Sequence, residues 1–213
     1  MAPELLVCRV LYCALGDTEA AYFQNSLICS RVEGYSDSFR FASTLSPGIP
    51  ASIVAIDALQ FSSSGRSLQW KEEPFVREAN KVWFVVVLLF GNPLWHSPCQ
   101  CLIGFGCVAE EGLATGNWGA GFFNGLQRFF FLFGNKLTSR NFSGDPELKS
   151  IIQLLCSSIL KKRLRYYTFG QLERLEQVHA KLVELKATVG SVVSLILNHD
   201  PSASLFEEIL NLN

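Results

Sequence analysis

Apolar residues recur at three-to-four-residue spacing through Leu172, Leu175, Val178, Leu182 and Leu185, the stripe of a helix laid against a core, and this predicts a helix over 172–185. The same periodicity in Leu5, Leu6, Val10, Leu11 and Ala14, with Pro3 in the first turn, predicts a helix over 3–15. Further helices are expected over 71–84, 146–162 and 189–197, and a last one over 203–210. The second of these has Asp145 as N-cap and Pro146 at its first position, while the third follows a break at Thr188-Val189-Gly190. Strands read differently. Ser26 to Val32 is short and mixed, and Ile53-Val54-Ala55-Ile56-Asp57-Ala58-Leu59 is nearly continuous apolar sequence, the pattern of a strand covered on both faces. Leu164 to Phe169 follows a helix as an α-then-β unit. These elements together predict an α/β sandwich. Gly91 to Gly112 carries little pattern, and Phe129-Phe130-Phe131-Leu132-Phe133 is an aromatic cluster between segments that otherwise look contiguous.

Composition narrows the class of protein. The 213 residues suffice for one domain, and 49% apolar with 17% charged residues marks a globular chain. A formal net charge of -1 provides no basic field for a nucleic-acid backbone, so no direct nucleic-acid binding is expected and any anionic ligand must be held locally. The longest apolar run, Val82 to Phe90, is far below the roughly 20 residues that span a bilayer, so no membrane segment is expected. Glu4 and Arg9 interrupt the N-terminal apolar stretch, which disfavours a secretion signal. Seven unevenly spaced cysteines read as reduced thiols, with Cys156 in the core. His96, Cys99, Cys101 and Cys107 depart from the usual zinc-ligand spacing, so neither metal nor cofactor is expected.

Two segments bear on chemistry. Gly116-Asn117-Trp118-Gly119-Ala120-Gly121 is glycine-rich, so its backbone N–H groups can approach an anion closely, and Asn117 adds an amide; a tight turn is the plainer reading. Lys161-Lys162-Arg163-Leu164-Arg165 reads as cations complementing a helix C-terminus, in preference to a nuclear-import patch.

Ala114 to Gly121, then Ser143-Gly144-Asp145-Pro146-Glu147-Leu148-Lys149, then Tyr166-Tyr167-Thr168-Phe169-Gly170 occur in an order that resembles the poly(ADP-ribose) glycohydrolases, the plant branch especially. Pro3 to Leu6, Glu33 to Phe41, Ile53 to Leu59 and Arg77 to Lys81 extend the likeness. The resemblance implies an incomplete macrodomain-like α/β/α sandwich with flanking helices, occupying 1–213 as the C-terminal part of a catalytic domain. It implies hydrolysis of the ribose-ribose bonds of poly(ADP-ribose), with ADP-ribosylated proteins as partners, a place in the DNA damage response, and localisation in nucleus and cytoplasm. Carried over by position, Asn117 and the N–H groups of Gly119, Ala120 and Gly121 would meet the ribose and diphosphate. Tyr35 and Phe169 would contact the adenine.

Three departures modify that expectation. The family's Gly-Gly-Gly loop and Gln-Glu-Glu acids precede the Pro3 block, so no catalytic residue is expected within this chain. Glycoside cleavage needs a carboxylic acid placed to protonate the leaving oxygen. Glu110 and Glu111 read as a solvated pair rather than a substitute. About 123–141 interrupts the phosphate loop and about 82–106 replaces the segment after the Asn80-Lys81 helix end; both have the character of translated intervening sequence. The expected alternatives to an enzyme are a non-catalytic ADP-ribose-binding module and a non-functional truncated product. Transcripts spliced across both segments are expected, and reads running uninterrupted through them would remove the intervening-sequence reading.

Overall fold

A computed structural model describes residues 15–16, 19–33, 40–59, 61, 63–90, 100–103, 112–116, 144–167 and 172–213. Within these, β1 (Ala21–Glu33) and β2 (Arg40–Ala55) form a long antiparallel hairpin, and β3 (Gln100–Ile103) joins β2 in parallel, giving the order β1-β2-β3. A second, two-stranded parallel sheet pairs β4 (Gly112–Gly116) with β5 (Arg163–Tyr167). The helices are α1 (Glu72–Phe90), α2 (Pro146–Ile159), α3 (Leu172–Glu184), α4 (Val189–Asn198) and α5 (Leu205–Leu210), and a 3-10 helix spans Ser63–Trp70. The mixture of helices with small sheets containing parallel pairs is the α/β class that the sequence pattern predicts.

Several boundaries differ from expectation, each for a physical reason. The strand expected over 53–59 leaves the sheet at Ala55, because the Leu59 amide donates to Glu78 Oε1 at 2.9 Å and the Asp57 carbonyl accepts from Arg77, not from a strand. The strand expected over 26–32 lengthens to Ala21–Glu33 because β2 pairs along it, and the polar stretch from Arg40 to Pro50 becomes strand through that pairing despite weak propensity. The apolar run from Val82 continues α1 to Phe90 instead of following it. Glu72 and Glu73 occupy the first turn of α1, as expected for acids at a helix N-terminus. The helix expected over 3–15 lies outside the described residues.

The core centres on α2, which packs against α1, β5, α4 and α5. Leu148, Ile151, Ile152, Leu155 and Cys156 meet Phe75 and Val82 of α1, Val178 of α3, Val192 and Ile196 of α4, and Leu205, Phe206 and Ile209 of α5. Burial of such side chains stabilises by about 1.5–3 kcal/mol each. The start of α2 is capped as expected: Asp145 Oδ1 accepts from the amides of Glu147 (2.9 Å) and Leu148 (3.2 Å), with Pro146 in the first turn. The C-terminal helices also begin on caps, Thr188 in a reciprocal box with Ser191 and Ser204 accepting from the Glu207 amide.

Two lysines end helices in a conformation usually left to glycine. Lys161 (φ 52°) and Lys186 (φ 50°) are left-handed. At each, paired amide bonds close the final turn: Lys162 to Ser157 O and Lys161 to Ser158 O after α2, Ala187 to Leu182 O and Lys186 to Val183 O after α3. Conversely, Gly190 sits in the first turn of α4, where an added Cβ would meet only Thr188 Oγ1 at 3.9 Å. Lys186→Gly and Gly190→Ala are therefore each expected to raise the unfolding free energy by about 0.5–1 kcal/mol. Denaturant titration checks this, and a loss of stability in either variant would contradict the backbone assignment.

Candidate ligand-binding site

Strands β4 and β5 run parallel in register from Gly112↔Arg163 to Gly116↔Tyr167, so both end at the same edge of the sheet. In open α/β sheets ligands sit beyond the carboxyl ends of such strands, where following loops converge. Asn117 follows directly after Gly116, and Phe169 lies two residues after Tyr167. Asn117, Gly119, Ala120, Gly121 and Phe169 themselves lie outside the described residues, as does Tyr35. Glu110, Glu111 and the side chains of His96, Cys99, Cys101 and Cys107 also lie outside them. No cluster of three or more metal-ligating side chains occurs among the described residues, and no described helix is long and apolar enough to cross a membrane.

The scaffold beneath that edge is polar, buried and continuous. Gln153 of α2 hydrogen-bonds the Tyr166 phenol of β5 and donates to the Lys149 carbonyl at 3.0 Å. One turn back, the Lys149 ammonium, 1% exposed, pairs with Glu78 of α1. Glu78 Oε1 holds the Leu59 amide at 2.9 Å and the Arg77 guanidinium at 2.6 Å. Arg77 reaches Asp57 Oδ2 at 2.7 Å, while Lys81 approaches Asp57 Oδ1 at 2.7 Å and donates to the carbonyls of Gly16 (2.5 Å) and Glu19. The chain of contacts thus joins β5, α2, α1, the exit of β2 and the segment preceding β1.

Two carboxylates and three cations share this interior. Burial lowers the Lys149 pKa from 10.5 to about 7, with Arg77 pushing the same way and Asp57 opposing. Beside it, Cys156 donates to the Ala79 carbonyl at 3.6 Å, and burial raises its thiol from 9.0 to about 12, consistent with the expected core role. Burial also raises the Tyr166 phenol, against the hydrogen bond from Gln153.

Sequence reasoning passed over Glu78, Lys81 and Lys149 as site-supporting groups. A signal was present: Phe75, Glu78 and Val82 share one helical stripe, as do Lys149, Ile152 and Cys156, so each charge stands at core spacing. A charged residue on such a stripe requires a buried partner.

These features can be set against known proteins. The family model described as poly(ADP-ribose) glycohydrolase, macro domain fold, matches residues 1–134 and 139–176. The chain belongs to the poly(ADP-ribose) glycohydrolase family. Poly(ADP-ribose) glycohydrolase 1 of Arabidopsis thaliana is 36% identical over 93 residues, which are 42% of this chain and 14% of that protein. Probable poly(ADP-ribose) glycohydrolase 2 of the same plant is 26% identical over 223 aligned residues, 89% of this chain and 38% of that protein. The chain therefore spans well under half the length of either relative.

The buried groups set a pH signature. Between pH 7 and 10.5 the unfolded chain binds a proton at Lys149 that the folded chain has released, so stability rises with pH across that window. Above pH 9 the unfolded chain loses the Cys156 proton that the folded chain keeps, and above pH 10 Tyr166 acts likewise, so the trend flattens and reverses. Denaturation midpoints are expected to climb from pH 7 to 9 and fall above 10. In Lys149→Met the climb disappears; its persistence would show that another group titrates.

Proposed function

We propose that this chain is the ADP-ribose-binding portion of a poly(ADP-ribose) glycohydrolase, holding one unit of the polymer beyond the ends of β4 and β5. The observation that carries this reading is the Gly116↔Tyr167 register. It starts the Asn117 loop and the Phe169 segment from adjacent points, so diphosphate and adenine contacts can act on one ligand. Asn117 and the N–H groups of Gly119, Ala120 and Gly121 take the ribose and diphosphate, and Tyr35 and Phe169 take the base. The fold is an incomplete α/β/α sandwich with flanking helices, one domain over 1–213 with irregular insertions at about 82–106 and 123–141.

The reaction served is hydrolysis of ribose-ribose bonds in polymer attached to ADP-ribosylated proteins in nucleus and cytoplasm, as part of the response to DNA damage. This chain's share is binding, not proton delivery. The polar engagement of the best-buried described carboxylates supports that division. Glu78 and Asp57 are held in the internal ion network, Asp145 caps α2, and Glu147 accepts from Ser204 and Phe206. A general acid must instead face the leaving oxygen.

Calorimetric titration of the chain with ADP-ribose, beside an assay for ADP-ribose release from polymer, tests both halves. Binding without release is expected. Release would overturn the division of labour, and absence of binding would overturn the site. Phe169→Ala is expected to weaken binding about 5- to 100-fold through lost stacking, and Asn117→Ala to weaken it as well, with the fold retained by circular dichroism.

A further inference from the structure

The C-terminal helices α4 and α5 lie after residue 176, where the family match ends, yet α5 is fastened to the family-like block that opens α2. The fastening is a carboxylate shared between two helix starts. Glu147 belongs to the first turn of α2, but its side chain turns outward: the Ser204 hydroxyl donates to it at 3.0–3.1 Å, and the Phe206 amide donates to Oε2 at 3.1 Å. Arg174 of α3 closes the outside, 4.0 Å from Glu147 Oε1 and 2.5 Å from Glu207.

A second fastening lies across the same turn. The His199 ring, its side chain fully buried, shares a hydrogen bond at 2.5 Å between Nδ1 and Glu208 Oε2, and it rests on Trp70 with centroids 4.1 Å apart. Trp70 ends the 3-10 helix whose Gln69 accepts from the Asp145 amide at 2.7 Å and whose Arg66 pairs with the Asp145 carboxylate. Both fastenings therefore lead to the first turn of α2, directly from α5 in one case and through the 3-10 helix in the other. Four residues into that helix stands Lys149, whose amide closes the turn on the Asp145 carbonyl.

We propose that residues 199–210 act as a C-terminal clasp on α2, with Glu147 as the positioning residue through which docking of α5 sets the order of the first turn of α2. Opening of the clasp and fraying of that turn are one event, because Ser204, Phe206 and Arg174 hold the carboxylate from one side while the backbone of Glu147 belongs to the other. Cooperative local units of this kind open below the free energy of global unfolding.

Native-state hydrogen exchange on the full chain without ligand tests this independently of ADP-ribose binding. Ser204→Ala changes no atom of α2. It removes a hydroxyl that both donates to Glu147 and caps the Glu207 amide, and it is expected to speed exchange by about tenfold or more in 199–210 and about tenfold in 145–152, while 19–33 is unchanged. Glu147→Gln, which leaves the Ser204 cap in place, is expected to speed exchange in both segments too, and in 145–152 the double variant no more than either single one. Faster exchange confined to 199–210 would overturn the coupling. A uniform rise that includes 19–33 would also overturn it, since the variant would then act on global stability alone.

Discussion

The carboxylate of Glu78 is the group on which the rest of the interior depends. It stands on α1 and faces the ammonium of Lys149 on α2, the guanidinium of Arg77 and the amide of Leu59. Pairs of this kind are often no better for stability than well-packed apolar residues, but removing one partner strands the other and costs about 3–5 kcal/mol. Their value here is positional. Apolar contacts between α1 and α2 tolerate a range of slides and rotations, whereas a carboxylate satisfied by donors on α2 and at the exit of β2, as well as by Arg77 on its own helix, tolerates only one arrangement. The contacts of Asp57 and Lys81 extend this registration to the exit of β2 and to Gly16 and Glu19, ahead of β1.

That registration matters for the site because α2 leads directly into β5. Gln153 ties α2 to Tyr166, and β5 in turn fixes the end of β4 through the parallel ladder. The edge from which Asn117 and Phe169 depart is thus held from below by polar contacts. Family membership rests on the match across most of the chain. The proposal that these residues bind a ligand starts from this edge, a separate observation.

Legibility from sequence followed the range of the interactions involved. The helix from Pro146 was readable because Asp145, Pro146 and the stripe of Leu148, Ile152 and Leu155 are all local signals, and α3 to α5 were readable for the same reason. The end of β2 was not, since its cause is Glu78, which is distant along the chain and reaches back to Leu59. Nor was the strand from Arg40 to Pro50, whose Ser, Pro and Gly residues argue against a strand until β1 is beside them. The end of α2 was expected at 162 and comes at Ile159, and that of α3 was expected at 185 and comes at Glu184, because lysines, not glycines, occupy the left-handed positions. In the site itself, residue types and order were visible through the family likeness. Nothing in the local sequence announced that Gly116 and Tyr167 stand opposite each other.

Cys156 illustrates how burial shapes chemistry away from any ligand. Its thiol lies between α1 and α2, bonded to the carbonyl next in sequence after Glu78, and it remains protonated to about pH 12. Nucleophilic sulfur is thiolate, so in the closed interior this side chain is silent toward alkylating reagents and oxidants. Exposed Cys29 has no such shelter. Between Cys29 and Cys156, a thiol-reactive dye would therefore mark Cys29 of the β1–β2 hairpin first and reach Cys156 only when α2 parts from α1, making Cys156 a built-in clock for the separation of the two helices that Glu78 holds in register.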